Sequence, residues 1–266
     1  MLDLDTLHID SYPIALLDGS LPHGGNVPNT PIYGVKCNNF LKESGGYVKK
    51  PKQTILDQST QTTFILENVL SSDEADTFVE ITERLGFRPE APGLQTPPGM
   101  RQNMTVHWLS TMEIMGVIYD RIATFLPVQL DGQDLYPHLS QRINTYRYEK
   151  NDIFNPHIDG AWPGYSFSKD YKSMVQWNNV YSKLSMLIYL TGVEDGVEGG
   201  ETILYNSGKP HYKITPRKGR ALIFRHGNSP GTILHEGSKL IGQHKKYIAR
   251  INIMYKLLAS QPTISN

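Results

Sequence analysis

The chain has 266 residues, 26 basic and 26 acidic side chains and a single cysteine, which is enough length for one β domain, since sandwiches and barrels often run to ~200–250 residues. Balanced charge excludes a global field that would draw in nucleic acid or an anionic membrane surface, so the expected partner is a small-molecule or peptidyl substrate, with no nucleic acid and no membrane. Cys37, standing alone, excludes an internal disulfide framework and cysteine-rich zinc sites, so any metal must be held by histidine and carboxylate.

The opening MLDLDTLHIDSYP is acidic and broken by proline. It lacks the basic start and apolar run of a secretory signal, and a cytoplasmic address is the expectation. The sequon Asn103-Met104-Thr105 reads as chance. Residues 1–58 are rich in Gly, Pro and Asn without a sustained period, which predicts an irregular arm ahead of one domain over 59–266. TTFILENVL reads as a strand. SSDEADTFVEITERLG then reads as a helix, with a capping box at Ser71 and Glu74 and a stop at Gly86. Between Thr111 and Phe125, Met112, Met115, Ile118, Ile122 and Phe125 recur near helical spacing, and Pro127 ends this second helix.

From Gln141 the pattern changes to short β segments separated by turns: RINTYRY, SKLSMLIYLT, GGETILY, HYKITP, GRALIFRH, GTILHEG and KYIARINIMYK. Many short strands closing on one another predict a mainly β sandwich or jelly roll braced by the two helices.

In FNPHIDGAW, His157 and Asp159 stand two residues apart. On an extended segment both side chains leave one face and can share a metal. His235, in TILHEG, lies 78 residues beyond His157, a separation a closed β barrel bridges, with His226 and His244 as alternatives for the third ligand. Two histidines and one carboxylate make the facial triad of non-haem Fe(II) oxygenases, which leaves positions open for co-substrate and oxygen.

The order and spacing of YRYEKNDIFNPHIDG, LIYLTGVEDGVEGGETILY, ITPRKGRALIFRH and ILHEGSKLIGQHKKYIARINIMY resemble the prolyl-4-hydroxylase-like branch of the 2-oxoglutarate/Fe(II)-dependent dioxygenases over roughly residues 60–256. The resemblance implies a double-stranded β-helix (cupin-like jelly roll) and an oxidoreductase that uses Fe(II), with 2-oxoglutarate and O2 as co-substrates. It implies hydroxylation of an unactivated carbon in an amino acid, peptidyl side chain or small natural product, with release of succinate and CO2. It makes His157, Asp159 and His235 both the metal ligands and the catalytic centre. Hydroxylation is favoured over halogenation because Asp159 fills the position that related halogenases leave to chloride.

The far carboxylate of 2-oxoglutarate demands a buried cation. Lys246 matches the family's anchoring Lys or Arg, although it lies one residue further from the histidine than is usual there. Arg250, four residues on, shares its strand face and offers a planar guanidinium. Tyr148 and Tyr189 align with family tyrosines that touch the co-substrate. By strand parity Asn144 and Tyr146 join Tyr148 as wall residues. Arg101 and Asn103, in GMRQNMTVHW, and Trp162, in the aromatic-rich insertion after HIDG, are candidates for substrate contact. The insertion itself is expected to be a lid or a surface loop. Two other readings predict different chemistry: a non-catalytic cupin-like binding module, and a cupin dioxygenase that needs no keto acid. Oligomeric state is not written in the sequence.

Overall fold

A computed structural model describes residues 9–43 and 49–257. Strands β1 (Ile9–Ser20) and β2 (Asn26–Cys37) form a hairpin, followed by the short helix α1 (Phe40–Glu43) and strands β3 (Lys52–Ile55) and β4 (Phe64–Glu67). Helix α2 (Ser72–Leu85), β5 (Ala91–Pro92), β6 (Met104–Leu109) and helix α3 (Met112–Ile122) come next, then the small hairpin of β7 (Gln129–Leu130) and β8 (Gln133–Leu135). The remaining strands are β9 (Arg142–Tyr148), β10 (Phe154–His157), β11 (Pro163–Phe167), β12 (Met174–Tyr189), β13 (Thr202–Asn206), β14 (Lys209–Ile214), β15 (Ala221–Arg225), β16 (His235–Gly237) and β17 (Lys246–Leu257).

They make a jelly roll. The major sheet runs β3-β4-β15-β12-β17-β9-β6-β2-β1-β5, and the minor sheet runs β10-β16-β13-β14. The centre of the major sheet, β12-β17-β9-β6, is antiparallel and covered on both faces. Its outer face, with Val106, Trp108, Ile143, Met186, Ile188, Ile251 and Ile253, packs on Ala75, Phe78, Ile81, Ile114 and Ile118 of α2 and α3. Its inner face, with Tyr146, Tyr148, Leu187, Tyr189 and Ile248, meets Leu204 of the minor sheet. Side chains of alternate parity on a single strand therefore serve two different cores.

Two expectations need correction. Residues 9–37, predicted irregular, are instead the β1–β2 hairpin, which extends the major sheet through the parallel pairing of Tyr33 and Gly34 with Trp108 and Leu109. Register shifts near Pro13 and Asp18 break its period, so the alternation that marks a strand in sequence is lost although the pairing survives. Residues 1–8 and 44–48 of the predicted arm lie outside the described residues. The aromatic-rich insertion is likewise a hairpin rather than a loop: β11 pairs with the first half of β12, Phe167 with Met174 and Pro163 with Tyr181.

The helix α2 carries the expected capping box, with Ser71 N–H donating to Glu74 at 2.8 Å and Glu74 N–H to Ser71 Oγ at 3.2 Å. Fully buried Glu74 also receives both Arg121 amino groups, at 2.7 and 2.8 Å, so one carboxylate caps α2 and ties it to α3. Removing one member of such a pair strands a buried charge. Arg121→Ala is expected to lower the unfolding free energy by about 3–5 kcal/mol, seen as a lower urea midpoint at unchanged slope. A midpoint equal to that of the parent chain would contradict this role.

Candidate metal centre and its cleft

His157 closes β10 and His235 opens β16, and the two are paired directly across the minor sheet. Asp159 follows two residues past its strand. Its Oδ1 lies 3.8 Å from His157 Nε2 and its Oδ2 3.9 Å from His235 Nε2. One ligand atom from each of the three residues lies within 4.8 Å of the others. His157 stacks on Phe154 at 3.7 Å between ring centroids, and His235 leans on Phe224. Each imidazole gives its Nδ1–H to a backbone carbonyl, His157 to Asn155 at 2.7 Å and His235 to Ile233 at 3.3 Å. This leaves both Nε2 lone pairs on the Asp159 side, the arrangement a metal-binding imidazole needs. The donor set of two neutral imidazoles and one carboxylate suits Fe(II) and leaves coordination positions for co-substrate.

Asp159 is held from behind. Arg250 Nε donates to its Oδ2 at 3.0 Å and Ser185 Oγ at 2.6 Å. Burial alone would raise its pKa, but Arg250 and the two histidines outweigh burial and hold the carboxyl below its usual range. The third-ligand alternative His226 is occupied elsewhere. Its Nδ1 bonds Ser185 Oγ and its Nε2 bonds Ser182 Oγ, both at 2.8 Å. Since Ser185 gives its proton to Asp159, His226 is assigned as the Nδ1–H tautomer, and Ser182 donates to its Nε2. Ser182 in turn accepts the Trp162 backbone N–H at 2.9 Å. His244 is exposed, against Gly196.

A narrow cavity leads inward from the triad between Tyr148, Leu187, Thr202, Gly237 and Ile248. Fully buried Lys246 lies at its side, with Nζ donating to the Gly200 carbonyl at 2.5 Å and lying 4.1 Å from the Tyr148 ring centre. Among the described residues no carboxylate forms an ion pair with it, and burial pushes its pKa down to about 7, with Glu201 opposing. Gly200 makes room for it: φ there is 66°, and a Cβ would come within 3.0 Å of Lys246 Cδ. Tyr189 donates to Thr202 Oγ1 at 2.7 Å.

On the other side of the triad opens a cleft of about 440 Å³, walled by Gly93, Met100, Tyr146, Phe154, Trp162 and Arg250. Asn144 pairs across the sheet with both Arg250 and His107. Arg101 is absent from the cleft wall, since its guanidinium is spent on the carbonyls of Asn103, Ser20 and Pro89. It fastens β1, through Ser20, to the segments around Pro89 and Asn103 that precede β6, and Asn103 is fully buried beside it. Two buried residues escaped the sequence reading, Arg142 and His107, whose side chains bond each other at 3.0 Å. Arg142 shares the strand parity of Asn144, Tyr146 and Tyr148, a signal the RINTYRY segment already contains.

A family profile described as the 2OG-Fe(II) oxygenase superfamily matches residues 143–254, the span that supplies the triad, Lys246 and Arg250. No curated protein matches the chain in sequence. Among solved structures, a viral collagen prolyl hydroxylase from Paramecium Bursaria Chlorella virus-1, in its 2OG complex, is 18% identical. It covers 73% of this chain and 96% of its own, with a TM-score of 0.50. A prolyl hydroxylase from Trichoplax adhaerens, in complex with a hypoxia inducible factor oxygen degradation domain peptide fragment, is 17% identical. It covers 74% and 84%, also with a TM-score of 0.50. At these identities the two structures share the jelly-roll fold.

Burial pushes His226 down to about 4 and His235 to about 3, and lowers His157 and His107 as well. Below the unfolded value of 6.5 the unfolded chain binds protons that the folded chain refuses, so stability is lost as pH falls. Each such group steepens the loss by up to about 1.4 kcal/mol per pH unit. Unfolding free energies of the metal-free chain are therefore expected to drop from pH 7 to pH 5. His226→Gln is expected to flatten that slope by about one proton, and a slope unchanged in the variant would contradict the assignment.

Proposed function

We propose, from the match of residues 143–254 to the 2OG-Fe(II) oxygenase superfamily profile, that the chain hydroxylates an unactivated carbon of an amino acid, peptidyl side chain or small natural product. One observation carries this reading: the two-histidine, one-carboxylate cluster opens on one side to a cavity flanked by a buried lysine that has no ion pair among the described residues, and on the other to a cleft. Fe(II) with 2-oxoglutarate and O2 supplies the oxidising power, with succinate and CO2 as co-products.

The chain's own residues do the positioning. His157, Asp159 and His235 hold the metal, with Arg250 and Ser185 keeping Asp159 ionised and aimed. Lys246 receives the far carboxylate of the co-substrate, with Tyr148 and the Tyr189–Thr202 pair as its neutral surroundings. Lys246 is favoured over Arg250 for this role because Arg250 is engaged with Asp159, whereas Lys246 bonds a carbonyl and faces an aromatic ring without an ion pair among the described residues. Tyr146 and Phe154 line the wall between cavity and cleft and limit water at the centre.

Anaerobic addition of 2-oxoglutarate to the Fe(II)-loaded chain is expected to produce the weak visible charge-transfer band of a chelated keto acid. The band should be lost in His235→Ala. Folded, iron-loaded protein without the band would favour the binding-module reading.

Lys246 supplies a second test. Its free pKa of about 7 means that above neutrality it must take up a proton to pair with a carboxylate, so the Kd for 2-oxoglutarate should rise between pH 7 and 8.5, approaching tenfold per unit. In Lys246→Arg the dependence should vanish, because a guanidinium stays protonated throughout. A flat profile in the parent chain would remove Lys246 from the role.

A further inference from the structure

The triad, its co-substrate and Lys246 balance in charge: metal and Lys246 are offset by Asp159 and the 2-oxoglutarate dianion. The cleft side does not balance. Arg250 and Arg142 are 5% and 7% exposed, and among the described residues Asp159 is the only carboxylate in the cleft wall. Arg250 spends Nε on Asp159, leaving Nη2 buried and without a partner.

Arg142 is less satisfied still. Its Nη2 donates to the Pro92 carbonyl at 2.8 Å and meets His107 Nδ1 at 3.0 Å, while its Nε and Nη1 lack hydrogen-bond partners. Its surroundings are neutral or positive: the rings of Trp162 and Tyr165, each 5.5 Å away, a histidine kept uncharged by burial, and Arg250 near enough to repel it. Among the described residues no carboxylate pairs with it, and burial pulls it down to about 10, against the hydroxyls of Tyr165 and Tyr146, which favour its charge.

A buried cation without an anion costs several kcal/mol unless something supplies the charge. The wall is thin where Arg142 lies behind it. Gly93 lines the cleft, and a side chain at that position would begin 3.7 and 3.9 Å from the two terminal Arg142 nitrogens. Trp162, also in the wall, has a buried Nε1–H with no acceptor. Orphaned donors from two guanidinium groups and an indole thus gather in and just behind the cleft wall. Planar forks of this kind match a carboxylate.

We propose that the substrate is a small molecule with a free carboxylate, received by Arg142 and Arg250 at the Trp162 end of the cleft. This rests on the oxygenase reading and narrows it. Within a protein chain only an Asp, Glu or C-terminal carboxylate offers such a group, so any other peptidyl substrate becomes an outcome of the test.

The test uses the full chain loaded with Mn(II) and 2-oxoglutarate, with the relaxation of ligand protons by the paramagnetic metal as readout. The probes are L-proline against L-prolinamide, phenylacetate against phenylacetamide, phenyl phosphate, and a blocked prolyl tripeptide. The acids are expected to bind near the metal at least about tenfold tighter than their amides, the scale of one charge-assisted hydrogen bond. Arg142→Met should close that gap to within about twofold and Arg142→Lys should keep part of it, with 2-oxoglutarate affinity unchanged in both.

Because Arg142 also bonds Pro92 and His107, Trp162→Phe serves as a second arm that leaves those bonds intact. It should weaken the acids and leave the amides as they were. Equal binding of acids and amides, tighter binding of the tripeptide or of phenyl phosphate, no binding of any acid, or a gap untouched by all three variants would overturn the carboxylate site. Loss of 2-oxoglutarate binding by the parent chain itself would instead bring down the oxygenase reading on which the inference rests.

Discussion

Asp159 is a carboxylate buried between two histidines, and the surrounding structure exists to keep it charged there. Taking such an anion out of water costs several kcal/mol. Arg250 and Ser185 offset that cost from behind, and a metal held by the three residues would offset it from the front. Once Arg250 is committed to this task, other choices follow. His226 is drawn into the hydrogen-bond chain Trp162–Ser182–His226–Ser185–Asp159 and lost as a ligand. On the proposed function, the co-substrate would find its cation elsewhere, at Lys246.

The covered sheet separates stability from chemistry. On β12 and β17 the outward parity is largely apolar and, with Ile143 of β9, locks onto α2 and α3, with the Arg121–Glu74 pair fastening the helices together. The inward parity carries Asn144, Tyr146, Tyr148, Ser185, Tyr189, Lys246 and Arg250. A polar interior of this kind is tolerated because a rigid apolar layer backs each strand, so the side chains are held where they are needed. Within that interior, Lys246 beside the narrow cavity and Arg142 behind the wall of the cleft have no ion pair among the described residues.

The N-terminal hairpin belongs to this scheme. It widens the major sheet, and Arg101 bolts it down by donating to the carbonyls of Ser20 and Pro89. The chain around Gly93, which pairs with β1 through Ala91 and Pro92, is thereby set as one wall of the cleft.

Much of the fold was legible because its signals are local. The capping box at Ser71 and Glu74, the helical spacing before Pro127 and the short β segments after Gln141 depend on neighbours in sequence. The His-x-Asp spacing and strand parity likewise pointed to side chains that leave one face together. The hairpins at 9–37 and 163–181 were not legible, because bulges break their period and their partners are remote or irregular. Which cation is free, Lys246 or Arg250, and whether Arg101 or Arg142 stands behind the cleft are questions of pairing. Sequence supplies the charge on an arginine, but its availability depends on which carbonyls and carboxylates the folded chain brings within about 3 Å, and that only the tertiary structure decides.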